Sequence, residues 1–494
     1  MIEIRKLLNN VNICSIEGDI DNDKLCTPLL MESDSYEGGL LYIINKVNKP
    51  MTEVDCSSFS SIPYAIVVEN GQIIKNGTST VIRVESTRRA FAHACSNMYG
   101  IDYEKMKIIG ITGSNGKTTT ATLIYEILSR AGYNTGFIGT GKIIINGNIE
   151  SSEEYSMTTP DPTLLYEALY KMQKAKCEYV VMEVSSHSIA LEKVAAIKFE
   201  YGIFTNLSAE HLDFHKTIDN YFSTKMRLFQ QTKSALFNLD DKYSALAYEN
   251  AECTKSAIGI INSAPVYATE IKMSGLHGTE FFYREKDLIC KVRTQLPGAF
   301  NIYNVIMAIR CTKELGIKLC ISKGIIENIS HISGRMQTYY DDITVIIDYA
   351  HTPFALYNCL NFLFSIKKQK QNIITVFGCG GDRDKSKRKP MGEISSLYSD
   401  FVIITSDNNR GEAFENIAAD ISEGISNVNH KIIKCRNFAI HHAIENAKSG
   451  DIVAVIGKGS ELYINSGKEA LRSSDSEIVK EALKRRKLNY ENKS

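Results

Sequence analysis

An apolar hexapeptide, Lys107-Ile-Ile-Gly-Ile-Thr112, runs directly into Gly113-Ser-Asn-Gly-Lys-Thr-Thr-Thr120 and then into an amphipathic stretch that reads as a helix to Ala131. A buried strand that meets glycines and then a helix belongs in an α/β sheet, where strand ends face helix N-termini. Gly113 and Gly116 let the backbone curl so that N–H groups of the loop, from Ser114 and Asn115 to Thr119, can face phosphate oxygens beside the positive helix end. Lys117 is placed to neutralise the β- and γ-phosphates, and the Thr118 hydroxyl to reach a magnesium ion. The common phosphate loop has a glycine five positions before its Gly-Lys pair, where this chain has Ile111; the element here is Thr-Gly-x-x-Gly-Lys-Thr from Thr112. A tight turn alone would not require Lys117-Thr118 at that offset, so the segment predicts a bound nucleotide.

The rest of the chain supports an α/β class with three domains. At roughly 150 residues per domain, 494 residues allow about three. Residues 1–104 hold short β-rich runs (Gly39 to Ile44, Ala65 to Val68) and a helical pattern from Arg88 to Tyr99, a small N-terminal α/β domain. Residues 105–332 alternate apolar strands with helices, predicting a central parallel-sheet domain that carries the phosphate loop. Residues 333–494 repeat the alternation, with strands expected at Thr344 to Asp348, Asn372 to Phe377, Phe401 to Thr405 and Asp451 to Ile456, a Rossmann-like unit. The tail from Lys480 to Ser494 reads as a solvated helix end.

Fifty-seven basic residues balance 57 acidic ones, so no global field favours nucleic acid, and any anion site must be local. No run approaches the roughly 20 apolar residues of a membrane span, and nothing at Met1 to Asp21 reads as a signal peptide. The 12 cysteines contain no Cys-x-x-Cys pair, which removes zinc-ribbon and dithiol motifs. Dispersed thiols fit the cytoplasm.

Two further segments carry chemistry. Met182-Glu-Val-Ser-Ser-His-Ser188 ends a strand with a carboxylate, hydroxyls and an imidazole, a set that could serve a hard cation or form an ordinary strand-end network. Thr205-Asn-Leu-Ser-Ala-Glu-His-Leu-Asp-Phe-His215 packs two histidines and two carboxylates into six residues, either a metal site or a satisfied cluster.

Together with Met157-Thr-Thr-Pro-Asp161, Tyr221-x-x-x-Lys225, Gly298-x-Phe-Asn-x-Tyr-Asn304, Gly334-Arg-Met336, Asp348-Tyr-Ala-His-Thr-Pro353 and Phe377-Gly-Cys-Gly-Gly-Asp-Arg-Asp384, these motifs stand in one order. The chain resembles the Mur ligases, and within them the MurE type, over residues 107 to 465. The resemblance implies ATP-dependent amide formation through an acyl phosphate, in peptidoglycan synthesis. It implies Mg²⁺ held at Thr118, Glu183, His211 and Lys225, with Lys225 carbamylated. Asn301 matches an adenine contact and Arg335 an arginine reaching the ATP phosphates, while Asp348 and His351 would face the nucleotide across the interdomain cleft.

The substrates follow from the same resemblance. Thr158, Thr159, Ser185 and Ser186 suit a muramoyl-dipeptide tail, Lys193 stands where relatives have an arginine, and Ser35 lies in the N-terminal acceptor motif Asp34-Ser-Tyr-Glu-Gly38, where Tyr36 replaces arginine. Asp407-Asn-Asn-Arg410, Arg383, Gly457 and Glu461 match the pocket for a diamino acid. Arg410 favours meso-diaminopimelate, because a guanidinium meets a distal carboxylate in bidentate fashion. Asn409 replaces a proline, Gly411 a serine and Ser460 a histidine. These departures leave open a related ligase with another carboxylate acceptor, or a catalytically weak nucleotide-binding partner. The expected partners are small molecules, with no nucleic acid and no membrane insertion, and the expected state is a monomer.

Overall fold

The computed structural model describes residues 1–494 except 32, 34, 46–50, 78, 151–156, 427, 467–468 and 492–494. Asp34 of the N-terminal motif therefore lies outside the described residues.

The first hundred residues form a five-stranded sheet in the order Ile13–Glu17, Thr80–Val84, Ala65–Glu69, Leu40–Tyr42, Pro28–Leu30, parallel except for the first pair. Ala65 to Val68 are all buried, and the helix Thr87–Tyr99 closes one face, with Phe91 edge-on to Tyr42. That helix starts where the Ser86 hydroxyl accepts from the Arg89 N–H, and stops at Gly100 in the left-handed region.

Eleven strands make the central sheet. Its core runs Thr135–Gly139, Tyr179–Glu183, Lys107–Thr112, Phe199–Phe204, Thr232–Asn238, Thr254–Gly259, Val266–Met273, all parallel. Every residue of Tyr179–Glu183 is buried, as a strand covered on both faces requires. The helix Lys117–Arg130 packs along Phe300–Glu314 on one face. Antiparallel strands extend the sheet at both edges, where parallel strands alone were expected. In Val266–Met273 buried and exposed residues alternate, and alternation suits a hairpin with one wet face better than a strand between helix layers.

A third sheet of six strands follows the order Gln337–Tyr340, Thr344–Asp348, Ile452–Ile456, Ile373–Phe377, Phe401–Ile404, Asn429–Ile432. Only the first is antiparallel. The tail differs from expectation. It is the helix Asp475–Glu491, with Val479, Ala482 and Arg486 buried and Arg486 paired to Asp342 at 2.6 Å. Its apolar positions cover the sheet, and the basic side chains between them had suggested a solvated face. No described helix is long and apolar enough to cross a membrane.

In both large sheets the parallel strands end on one edge. Thr112, Glu183 and Phe204 end together in the central sheet, and Asp348, Phe377, Ile404 and Ile456 in the C-terminal one. Ligands of such sheets bind at these carboxyl ends.

Candidate active site

The phosphate loop depends on its two glycines. Gly113 has φ +141°, and a Cβ there would lie 1.9 Å from Thr205 Oγ1; Gly116 has φ +83°, and its Cβ would meet Asn304 Oδ1 at 2.5 Å. Only glycine combines those torsions with that closeness. The neighbouring strand end clamps the loop: the Ser114 N–H donates to Asn206 O at 2.8 Å, the Asn115 N–H to Asn206 Oδ1 at 3.0 Å, and the Thr205 hydroxyl to Asn115 O at 2.6 Å. Lys117 curls back, its Nζ donating to Gly113 O at 2.9 Å and Ser114 O at 2.8 Å. Burial lowers its pKa, against the pull of Glu210 and Glu183.

Glu183, fully buried, accepts from the Thr118 hydroxyl at 2.8 Å and the Thr140 N–H at 3.0 Å. Among the described residues it has no ion pair. A buried carboxylate beside a hydroxyl, with no cation of its own, is a hard-oxygen donor set of the kind Mg²⁺ takes.

Lys225, 1% exposed, donates to Gly113 O at 3.0 Å and lies 4.6 Å from the Tyr221 ring centre. Burial, reinforced by Lys117, holds its amine well below the ordinary lysine range. A neutral, nucleophilic amine is the form that adds carbon dioxide.

The polar cluster after Phe204 is neither a surface patch nor a group of three or more His, Cys, Asp or Glu side chains placed to hold a metal, among the described residues. His215 turns to the Ser186 hydroxyl at 2.9 Å. His211, in the left-handed region at φ +57°, directs Nε2 at Glu210 Oε1, 3.2 Å away. Burial, the largest cause, lowers His211 to about 4, which favours the neutral imidazole. Burial would raise Glu210, but His211, His351 and Lys117 outweigh it and hold the carboxyl well below its usual range.

Glu210 also joins two domains, because its Oε1 lies 3.1 Å from His351 Nε2 on the C-terminal unit. A second crossing contact is Arg335, whose Nη2 donates to Thr118 Oγ1 at 2.8 Å. The Asp348 carboxylate accepts from the Met336 N–H at 2.7 Å and the Ala350 N–H at 2.8 Å, so it holds Gly334 to Met336, the hinge by which the chain enters the C-terminal sheet, as well as lining the cleft.

Deeper in the C-terminal unit, Glu461 accepts from the Tyr349 hydroxyl at 3.0 Å and from Asn408 Nδ2 at 2.9 Å. Burial and then Asp407 raise its pKa. Arg410, at φ +52°, donates to Gly381 O at 2.9 Å and Asn408 O at 3.2 Å. Arg383 is exposed and, among the described residues, has no ion pair.

One cavity of about 1010 Å³ joins these parts, from Gly113 and Lys117 past Thr158, Ser185 and Arg335 to Asp407, Arg410 and Glu461. Two family models match the chain: the Mur ligase middle domain over residues 111–312 and the Mur ligase glutamate ligase domain over residues 334–459. UDP-N-acetylmuramoyl-L-alanyl-D-glutamate--2,6-diaminopimelate ligase 1 of Clostridium acetobutylicum is 38% identical over 95% of this chain and 98% of its own. The chain belongs to the Mur ligase family. The diaminopimelate ligase of Clostridioides difficile is 36% identical to this Mur ligase, over 98% of this chain and 99% of its own. A solved structure of a UDP-N-acetylmuramoyl-L-alanyl-D-glutamate--2,6-diaminopimelate ligase superposes with a TM-score of 0.64 at 26% identity, covering 98% of this chain and 99% of that one.

Within this Mur ligase, Ser114, Asn115, Thr119, Asn301, Asp348, His351, Thr159, Ser186, Lys193, Arg383, Asn408 and Gly457 also line the cavity. Some of them are already engaged. Asn301 donates to Pro297 O at 2.7 Å and accepts from Asn304 at 2.9 Å, and Lys193 pairs with Asp161 at 2.7 Å. The Ser185 hydroxyl accepts from the Ser188 N–H at 3.1 Å, so it also caps the short helix that follows. Ser35 is not brought to the cavity; it is exposed and shares a hydrogen bond with Ser61 at 3.2 Å. Sequence reading missed Glu210 and Tyr349. Glu210 stood in its motif as one of two carboxylates, and Tyr349 between Asp348 and His351, so neither had a distinguishing spacing.

Proposed function

We propose that this Mur ligase adds meso-diaminopimelate to UDP-N-acetylmuramoyl-L-alanyl-D-glutamate, with ATP converted to ADP and phosphate. The observation that carries the reading is the shared cavity, which has a phosphate loop at one end and both basic (Arg383, Arg410) and acidic (Asp407, Glu461) side chains at the other. The acceptor carboxylate attacks the γ-phosphorus of ATP, giving an acyl phosphate; the incoming amine then attacks the carbonyl carbon, and inorganic phosphate leaves.

A carboxylate approaching a polyphosphate meets like charge, so cations must cancel the repulsion as the bond forms. Lys117 supplies one at the loop, and Arg335 brings another from the C-terminal domain, next to Thr118. Thr118, Glu183, His211 and a carbamylated Lys225 would hold Mg²⁺, which supplies Lewis-acid neutralisation of phosphoryl oxygens when bound. Thr158, Thr159, Ser185, Ser186 and Lys193 orient the acceptor's peptide end, and Asn301 faces the adenine. Contacts of Arg335 and His351 with the central domain close the cavity, which keeps water from the acyl phosphate.

The amino-acid end matches a zwitterion. Arg383 and Arg410 can take the distal carboxylate, while Asp407 and Glu461 take ammonium. Lysine lacks that carboxylate and would leave desolvated guanidinium unpaired, which is the discrimination expected. In this reading residues 1–104 receive the UDP-sugar, residues 105–332 bind ATP and residues 333–494 bind the amino acid. The reading takes the protein to be cytoplasmic and monomeric.

The test is ADP release with ATP, Mg²⁺, the UDP-muramoyl dipeptide and either diaminopimelate or lysine. Release with diaminopimelate but not lysine is the expected result. No release with diaminopimelate overturns the reading, and equal release with both overturns the amino-acid assignment.

A further inference from the structure

Tyr349 stands where three parts of the site meet: Arg335, Glu461 and His351. The Arg335 guanidinium carbon lies 4.2 Å from its ring centre, and the other side of that guanidinium reaches Thr118 at 2.8 Å. Its hydroxyl donates to Glu461 Oε1 at 3.0 Å. His351 meets the same ring edge-on at 4.7 Å, and its Nδ1 lies 3.0 Å from Tyr349 O.

The backbone around it has little room to move. Asp348 holds the Met336 and Ala350 amides on either side, which ties the hinge to the strand end. Gly459, at φ +54°, packs so closely that a Cβ would lie 2.9 Å from Tyr349 Cβ and 2.7 Å from Gly334 O. The hinge, the Tyr349 turn and the loop bearing Glu461 are therefore stacked with clearance for glycine only.

We propose that Tyr349 is a positioning residue that couples the two ends of the active site: its ring aims Arg335 at the phosphate loop, and its hydroxyl holds Glu461 for the incoming amine. A guanidinium over an aromatic face is attracted by the ring quadrupole and loses two directions of swing, so its remaining edge points at Thr118. A hydroxyl donated to a desolvated carboxylate fixes that oxygen and leaves the other, held by Asn408, on its own side. The same ring serves both, so an amino acid that shifts Glu461 also shifts Arg335. The inference rests on the ligase reading and deepens it.

Two substitutions separate the ring from the hydroxyl. Tyr349→Phe keeps the stacking surface and removes the donor; KM for diaminopimelate should rise about tenfold while KM for ATP holds. Tyr349→Leu removes both, and kcat should fall roughly tenfold further as Arg335 loses its aim. In a Glu461→Gln background, Tyr349→Phe should add much less to KM than it does alone, because the pair acts as one unit. Thermal melting of each variant reports folding, and a KM-against-kcat split between two folded variants is not what a general packing defect produces.

An unchanged KM in Tyr349→Phe overturns the Glu461 half, as does an undiminished effect in the Glu461→Gln background. Equal kcat in the two Tyr349 variants overturns the Arg335 half. If the unsubstituted enzyme releases no ADP with diaminopimelate, the ligase reading fails instead. Affinity for a non-hydrolysable ATP analogue then still decides the ring's role, since it should drop in Tyr349→Leu and hold in Tyr349→Phe, and equal affinities overturn it.

Discussion

The nucleotide end of the cavity and its amino-acid end are built in opposite ways. Residues 113–118 are contiguous, and the loop's shape follows from Gly113, Gly116 and hydrogen bonds to the adjacent Thr205–Asn206 strand end. The amino-acid end is assembled from separate turns, at Tyr349, at Gly380 to Arg383, at Asp407 to Arg410 and at Gly457 to Glu461. The phosphate loop is therefore one contiguous run at a strand–helix junction, steadied by a single neighbouring strand end. The other end is a meeting of loops, and small changes in any of them can alter which amine fits while the phosphoryl chemistry stays intact.

If that contrast holds, damage at the nucleotide end should remove the reaction and damage at the other end should only change the fit. The largest effect is expected from Lys117→Ala, with ADP release falling by about 10³-fold or more at any amino-acid concentration. Substantial turnover in that variant would break the contrast. Lys225→Arg keeps a long hydrogen-bonding side chain but cannot carry a carbamate, and should lose roughly 10²-fold in kcat. Depleting bicarbonate should slow the unsubstituted enzyme and leave the variant unaffected, measured by initial rates in degassed buffer.

At the amino-acid end, Arg410→Ala should raise KM for diaminopimelate roughly tenfold while kcat stays nearly constant, because the interaction is made equally in ground and transition states. A collapse of kcat with an unchanged KM would place Arg410 in the chemistry and blur the division.

The smallest effect concerns the scaffold of that pocket. The Arg388 hydrogen bond, the main cause, brings Glu412 down to about 2 from an ordinary 4.5, and Glu412 in turn accepts from the Asp382 N–H beside Arg383. A carboxyl whose pKa is depressed on folding adds stability above its unfolded value and loses it as pH falls through the folded one. The melting temperature should therefore drop between pH 4.5 and about 2, and Glu412→Gln should flatten part of that drop in a thermal scan.

Much of the scaffold was legible because its signals are short-range. The helix after the phosphate loop and the strands at Thr344 to Asp348 and Ile452 to Ile456 appear within a residue or so of their apolar runs. Asn429–Ile432 escaped notice because all its residues are exposed, and only pairing with Phe401–Ile404 makes it a strand. The helix Asp475–Glu491 had its buried stripe hidden among basic residues, and Arg486 becomes an interior residue through Asp342 and the Ile444 carbonyl, both far away in sequence. Asn301 and Asp348 line the cavity, yet their hydrogen bonds to Pro297 and to the hinge amides could not be read from a motif.

By itself the sequence laid out the nucleotide end: a lysine and a threonine fall at fixed steps after two glycines, whose positive φ angles are local properties of those few residues. Tertiary structure alone decided how the ends communicate. Glu210 becomes a link only when His351 arrives from another sheet, and Tyr349 becomes a hub only when the hinge and the Glu461 loop close on it. Contacts between residues a hundred positions apart depend on which strand ends share an edge, and no local spacing encodes that.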